Sequence, residues 1–128
     1  MRIAALLAAV WLFGVGVSSA QGRLIDAVRA NDVGAVRTLL DVRADVNAVQ
    51  PDGTTALHWA VERDAIEIVQ LLVRAGANVK ATNRYGATPL WLASLNGNAA
   101  TIGVLLEAGA DPSAASDEGE TALMVAAR

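Results

Sequence analysis

Asp52-Gly53-Thr54-Thr55-Ala56-Leu57-His58-Trp59-Ala60 couples a tight turn to the start of a helix. Gly53 supplies the positive φ that such turns often need. Thr55 suits an N-cap, where its hydroxyl accepts a bond from an otherwise orphaned backbone N–H. Leu57 is then the first core anchor of the helix. The pattern returns as Tyr85-Gly86-Ala87-Thr88-Pro89-Leu90-Trp91-Leu92-Ala93, with Gly86 as turn residue and Thr88 as cap. Pro89 falls at the first helical position, where a missing N–H costs nothing. It returns again as Glu118-Gly119-Glu120-Thr121-Ala122-Leu123-Met124-Val125-Ala126, with Gly119 and Thr121 in the same roles. Each glycine follows the last by 33 residues. A fixed period of this size indicates stacked supersecondary units.

Working outward, Leu24, Ala27 and Val28 stand at helical spacing, and Asn31-Asp32 breaks the pattern. Val33, Val36, Leu39 and Leu40 mark a second amphipathic helix, with Arg37 between them pointing to solvent. A shift of 33 overlays this segment on the next: Val36 falls on Val69, and Leu39-Leu40 on Leu72-Val73. In the second copy Ala56–Arg63 reads as a short helix, Asp64 as a break and Ile66–Arg74 as a longer helix. Gly76 follows, where a left-handed residue is commonly needed. The third copy gives Pro89–Leu95, a turn at Asn96-Gly97-Asn98, a helix over Ala99–Glu107, then Gly109.

These residues carry a family resemblance. Gly53–Val61 reads GTTALHWAV, Glu67–Ala81 reads EIVQLLVRAGANVKA, and Gly86–Ser94 reads GATPLWLAS. The chain resembles an ankyrin-repeat protein over Arg23–Arg128. The resemblance implies an all-α ankyrin-repeat solenoid of stacked helix-turn-helix units joined by β-hairpin-like loops. The repeats would run about 23–52, 53–85 and 86–118, with a partial unit at 119–128. Three departures stand out. Arg43 replaces the glycine of positions 76 and 109; a non-Gly residue there costs roughly 1 kcal/mol, so this turn is expected to be distorted. Asp64 replaces the glycine between helices, a milder change. Trp91 replaces the family's His, leaving His58 as the sole copy.

Composition narrows the function. Hydrophobic residues make up 54% of the 128, inflated by an apolar N-terminus and abundant Ala, while aromatics make up only 4%. The net charge is −3 and Lys80 is the only lysine. This argues against nucleic acid, whose binding leans on clustered Lys and Arg. The lack of Cys excludes disulfides, thiolate metal sites and a Cys nucleophile.

Residues 1–20 read as a secretory signal peptide. Arg2 gives the positive start, Ile3–Val17 is an uncharged apolar run, and Ser18-Ser19-Ala20 places cleavage before Gln21. An uncleaved anchor is the alternative, but the run is short for a span and contains Gly14 and Gly16. The expectation is an exported protein, bacterial periplasmic or extracellular, with no membrane insertion after cleavage. The last unit lacks a second helix. Two readings stand: a bare binding module, or the recruiting segment of a longer protein whose catalytic or membrane domain lies beyond Arg128.

Catalytic and metal chemistry find little support. His58 could be a base or ligand, yet no second ligand or nucleophile lies near it in sequence. It reads instead as a structural residue bonding to backbone across the repeat interface, as the resemblance implies. Asp32, Asp41 and Asp45 fail the spacing of a calcium loop. Asp117-Glu118-Gly119-Glu120 reads as a solvated hairpin tip. No cofactor, metal or enzymatic activity is expected. Trp59 reads as packing, and Trp91 is open between core and interface.

The resemblance implies that a protein partner binds the concave face and the hairpin tips. The family's variable contact positions fall on Pro51, Asp52 and Thr54 at the first tip, with Glu62 and Arg63 at the following helix end. At the second they fall on Arg84, Tyr85 and Ala87, with Leu95 and Asn96. At the third they fall on Asp117, Glu118 and Glu120, with Ala127 and Arg128. Tyr85 and Arg84 are residue types enriched in binding hot spots. The expected assembly state is a monomer.

Overall fold

A computed structural model describes residues 22–114 together with Thr121, Met124 and Ala127. The leader expected at 1–20 and its cleavage point therefore lie outside the described residues. Helix α1 covers residues 22–29. It is followed by α2 (Val33–Asp41), α3 (Ala56–Glu62), α4 (Ile66–Arg74), α5 (Pro89–Asn96) and α6 (Ala99–Glu107). The architecture is all-helical, in helix-turn-helix pairs, and the elements fall where the 33-residue period puts them.

Helices α2, α3, α5 and α6 start where the sequence supplies a side-chain cap. Thr55 Oγ1 accepts from the His58 amide at 3.3 Å, and His58 Nδ1 accepts from the Thr55 amide at 3.1 Å. Two orphan donors are thus satisfied reciprocally, with imidazole doing what Glu usually does. Thr88 accepts from the Trp91 amide at 3.1 Å, and Thr121 from the Met124 amide at 3.2 Å. Asp32 and Asn98 cap α2 and α6 in the same manner. Helix α4 has no side-chain cap but carries Glu67 in its first turn, which suits the positive end of the helix.

The turns repeat in register. Asn31, Asp64 and Gly97 take φ of 54°, 58° and 69° between the helices of each pair. Arg43, Gly76 and Gly109 take φ of 58°, 93° and 97° after the second helices. The distortion expected at Arg43 is absent. Ala44 N–H reaches the Leu39 carbonyl at 3.0 Å, as Ala77 reaches Leu72 at 3.0 Å and Ala110 reaches Leu105 at 2.9 Å. The arginine adopts the left-handed conformation and the helix-closing bond forms normally, because strain of roughly 1 kcal/mol is too small to break it.

Helices α1, α3 and α5 form one layer and α2, α4 and α6 the other. Helix α3 packs on α4 and α5, α4 on α2 and α6, and α5 on α6. Leu24, Val28, Val36, Leu57, Val61, Ile68, Leu72, Leu90 and Leu105 fill the space between the layers and are buried. Their burial is the main favourable term holding neighbouring repeats together.

Hairpin-like loops project from the stack. Val49 and Thr55 form an isolated antiparallel bridge. Gln50 N–H donates to the Thr54 carbonyl at 2.9 Å, and Gly53 N–H to that of Gln50 at 2.8 Å. The second loop copies this through Asn83 N–H to Ala87 at 3.2 Å and Gly86 N–H to Asn83 at 3.0 Å. The two tips touch. Arg84 N–H donates to the Asp52 carbonyl at 2.7 Å. A Cβ on Gly53 would stand 3.2 Å from Asn83 Cα, so this glycine serves both its own turn and the fit of the next loop.

Side chains also cross between repeats. Asn47 Oδ1 accepts from the Asn78 amide at 2.7 Å, and its Nδ2 donates to the Gly76 carbonyl at 3.3 Å. Arg37 is exposed as expected and pairs with Glu67 at 3.1 Å. Both partners are well exposed, so this pair contributes about 0–1 kcal/mol.

Candidate interaction surface

Asp52 sits half-buried at the first tip, where its carboxylate accepts from the Thr54 amide at 2.9 Å. That bond, aided by the Thr54 hydroxyl, holds the carboxyl below the usual carboxylate range. Thr54 itself is only 7% exposed. It was expected as a contact residue, but the Asp52 turn folds it inward, and it offers no open side chain. Pro51 is exposed beside them. Glu62 ends α3 and Arg63 caps it, and both are exposed.

The second tip presents more. Asn83 accepts from the Tyr85 and Ala87 amides at 2.9 and 3.1 Å and so fixes the loop. Tyr85 is left 62% exposed. The Arg84 guanidinium lies over the Tyr85 ring, 5.4 Å from its centroid, with Nη2 3.4 Å from the phenol oxygen. Ala87 is buried, and its carbonyl accepts the His58 ring, so it too is unavailable as a side-chain contact. Leu95, in the last turn of α5, is 52% exposed. Asn96 is exposed as a residue, yet its amide donates to the carbonyls of Val61 at 2.9 Å and Glu62 at 3.3 Å. Its side chain therefore joins two repeats rather than pointing freely outward. At the third tip Asp117, Glu118, Gly119 and Glu120 lie outside the described residues, as does Arg128, while Ala127 is exposed.

The sequence reading missed one feature here. The Arg29 guanidinium lies over the Trp59 ring at 4.8 Å, and Trp59 Nε1 donates to Gln50 Oε1 at 3.0 Å. Trp59 is half-buried, packed against the core on one side and covered by Arg29 on the other. The period offered the signal. Arg29 stands 33 residues before Glu62 and so shares its place, and that of Leu95, in the repeat.

His58 is 1% exposed and both ring nitrogens are engaged, Nδ1 by Thr55 and Nε2 by the Ala87 carbonyl at 2.9 Å. Burial, the largest cause, pushes its pKa down. A ring committed in this way is a structural joint with no lone pair left for a substrate proton. Among the described residues no three His, Asp or Glu side chains converge, and no helix is long and apolar enough to cross a membrane. A groove of about 280 Å³ lies between α4 and α6 in the other layer, lined by Gln70, Val73, Arg74, Val104, Glu107 and Ala108. What the tips and helix ends can do is hold a partner by apolar contact and hydrogen bonds.

A family model described as ankyrin repeats in three copies matches residues 24–116. No curated protein sequence matches the chain. Ankyrin repeats are in general protein–protein interaction modules, and such domains are typically non-catalytic. With most of its length matched, its helices paired at a 33-residue period and its Thr caps in register, the chain belongs to the ankyrin-repeat family.

Proposed function

We propose that this chain is a non-enzymatic binding module, exported from a bacterium, that captures a protein partner as a monomer through its hairpin tips and concave face. The observation that carries the reading is the exposure of Tyr85 and Leu95, at 62% and 52%, with Arg84 stacked on the tyrosine. An aromatic body, a hydroxyl and a guanidinium fork in one place form the kind of cluster that dominates binding energy. The loop beneath it is fixed by the Asn83 bonds and by the link from Arg84 to Asp52, which limits the ordering cost of binding. Asp52, joined to Arg84 through its carbonyl, and the exposed Glu62 and Arg63 add polar groups to the same surface, with Pro51 exposed at the first tip. Export rests on the leader read at 1–20, and the lack of Cys does not contradict it.

The test combines localisation with capture. The endogenous protein is isolated from the exported fraction and its intact mass measured, which is expected to begin at Gln21. Parent protein and an Arg84→Ala/Tyr85→Ala variant are then used as bait in that same fraction. The variant is expected to unfold at the parent's midpoint and to lose the captured protein. Equal capture by both would move the binding face elsewhere.

A further inference from the structure

Asn96-Gly97 is the single Asn-Gly pair in the sequence. Asn96 is the last residue of α5, and Gly97 caps that helix at φ 69°. The Asn96 amide donates to the Val61 and Glu62 carbonyls, at the end of α3 in the preceding repeat. Orphan acceptors gather there and the helix dipole is negative, so a donor is the right group for the place.

The same dipeptide is reactive. Glycine leaves its amide nitrogen unhindered for attack on the side-chain carbonyl of the preceding Asn. The fold engages both reactants in other bonds. Gly97 N–H is donated to the carbonyls of Ala93 at 3.0 Å and Ser94 at 3.2 Å, while the Asn96 amide is anchored on α3.

We propose that Asn96 is a deamidation site that opens only when the contact between the second and third repeats opens, and whose conversion keeps that contact from re-forming at full strength. The Gly97 nitrogen attacks Asn96 Cγ and gives up its proton to water as the new C–N bond forms. The Cγ–Nδ2 bond breaks as water returns a proton to the departing nitrogen, and ammonia leaves, giving a five-membered succinimide. Water then adds to one ring carbonyl and the ring C–N bond breaks, leaving Asp or isoaspartate. The product is a carboxylate, an acceptor facing two carbonyl oxygens beside Glu62. Isoaspartate also lengthens the backbone in the last turn of α5. The five other asparagines precede Asp32, Ala48, Val79, Arg84 and Ala99, whose side chains hinder the attack, and they serve as internal controls.

The test incubates the full chain at mildly alkaline pH, with and without guanidinium chloride, and follows each asparagine by peptide mass mapping. Conversion at Asn96 is expected to be at least ~10-fold faster in denaturant, since the native rate is limited by local opening. The other asparagines should convert more slowly in both conditions, and Gly97→Ala should slow Asn96 conversion in denaturant. Asn96→Asp should unfold about 5 °C below the parent. Should that variant not fold, limited proteolysis of partly converted parent reads the same quantity, because converted molecules are cut first. Equal conversion with and without denaturant would overturn the gating. An Asn96→Asp midpoint equal to the parent's, or equal survival of converted and unconverted chains, would overturn the coupling.

Discussion

His58 Nε2 lies 2.9 Å from the carbonyl oxygen of Ala87, 29 residues further along the chain and one repeat away. The contact ties the cap of α3 to the loop that leads into α5. It also fixes the tautomer. Nδ1 accepts from the Thr55 amide, so Nε2 carries the proton and donates. The neutral ring satisfies both neighbours, whereas a protonated Nδ1 would face an N–H.

A pH dependence follows. Burial holds the folded-state pKa of His58 below the ordinary 6.5. Above pH 6.5 the ring is neutral in both states and stability is full. As the pH falls below 6.5, the unfolded chain takes up a proton that the folded chain refuses, so stability declines until the folded pKa is reached. His58 is the only histidine, so the decline between pH 6.5 and 5 should vanish in His58→Ala. That variant should itself lose about 2 kcal/mol at neutral pH, from the unpaired Thr55 amide and Ala87 carbonyl. Denaturant melts across this pH range check both points.

Glycines of similar φ should differ in what they tolerate. Gly76→Ala, at φ 93° with open space around it, should lose about 1 kcal/mol from backbone strain alone. Gly53→Ala, at φ 81°, must also displace Asn83 Cα and should lose at least about 2 kcal/mol. Equal losses at the two sites would mean that the tips do not fit together as described. Gly86→Val, at φ 72°, should be strongly destabilising, because a β-branched residue fits this region poorly.

Arg43→Gly should stabilise the protein. The arginine holds φ 58° in a turn closed by the same hydrogen bond as those at Gly76 and Gly109. Relief of roughly 1 kcal/mol of strain, less the greater unfolded-state entropy of glycine, leaves a gain of about 0.5 kcal/mol. Chemical unfolding of parent and variant decides it.

The elements were legible because they rest on local rules. Thr55, Thr88 and Thr121 cap where a cap is needed, Pro89 sits at the first helical position, and the apolar spacing of Ile66–Arg74 has only one helical face to bury. What the sequence did not disclose depends on distance across repeats. Asn47 and Asn96 look like ordinary loop asparagines until the neighbouring carbonyls of Gly76 and Val61 are seen within reach. Arg29 looks solvated until Trp59 is found beneath it. Thr54 and Ala87 were expected as contacts because the family's variable contact positions fall on them. Both turn inward because Asp52 and Asn83 bind the amides of these two residues. Arg43 was expected to distort its turn, but local strain of that size is too small to overrule the packing of α2 on α4.

Under the proposed function, a protein partner lies against Tyr85 and Leu95. Photo-crosslinkable side chains placed singly at positions 85 and 95, and at Gln70 in the groove between α4 and α6, would test it most directly in intact cells. Positions 85 and 95 should crosslink to the same protein, and position 70 should not. Crosslinks from position 70 alone would place the partner on the opposite layer and contradict it.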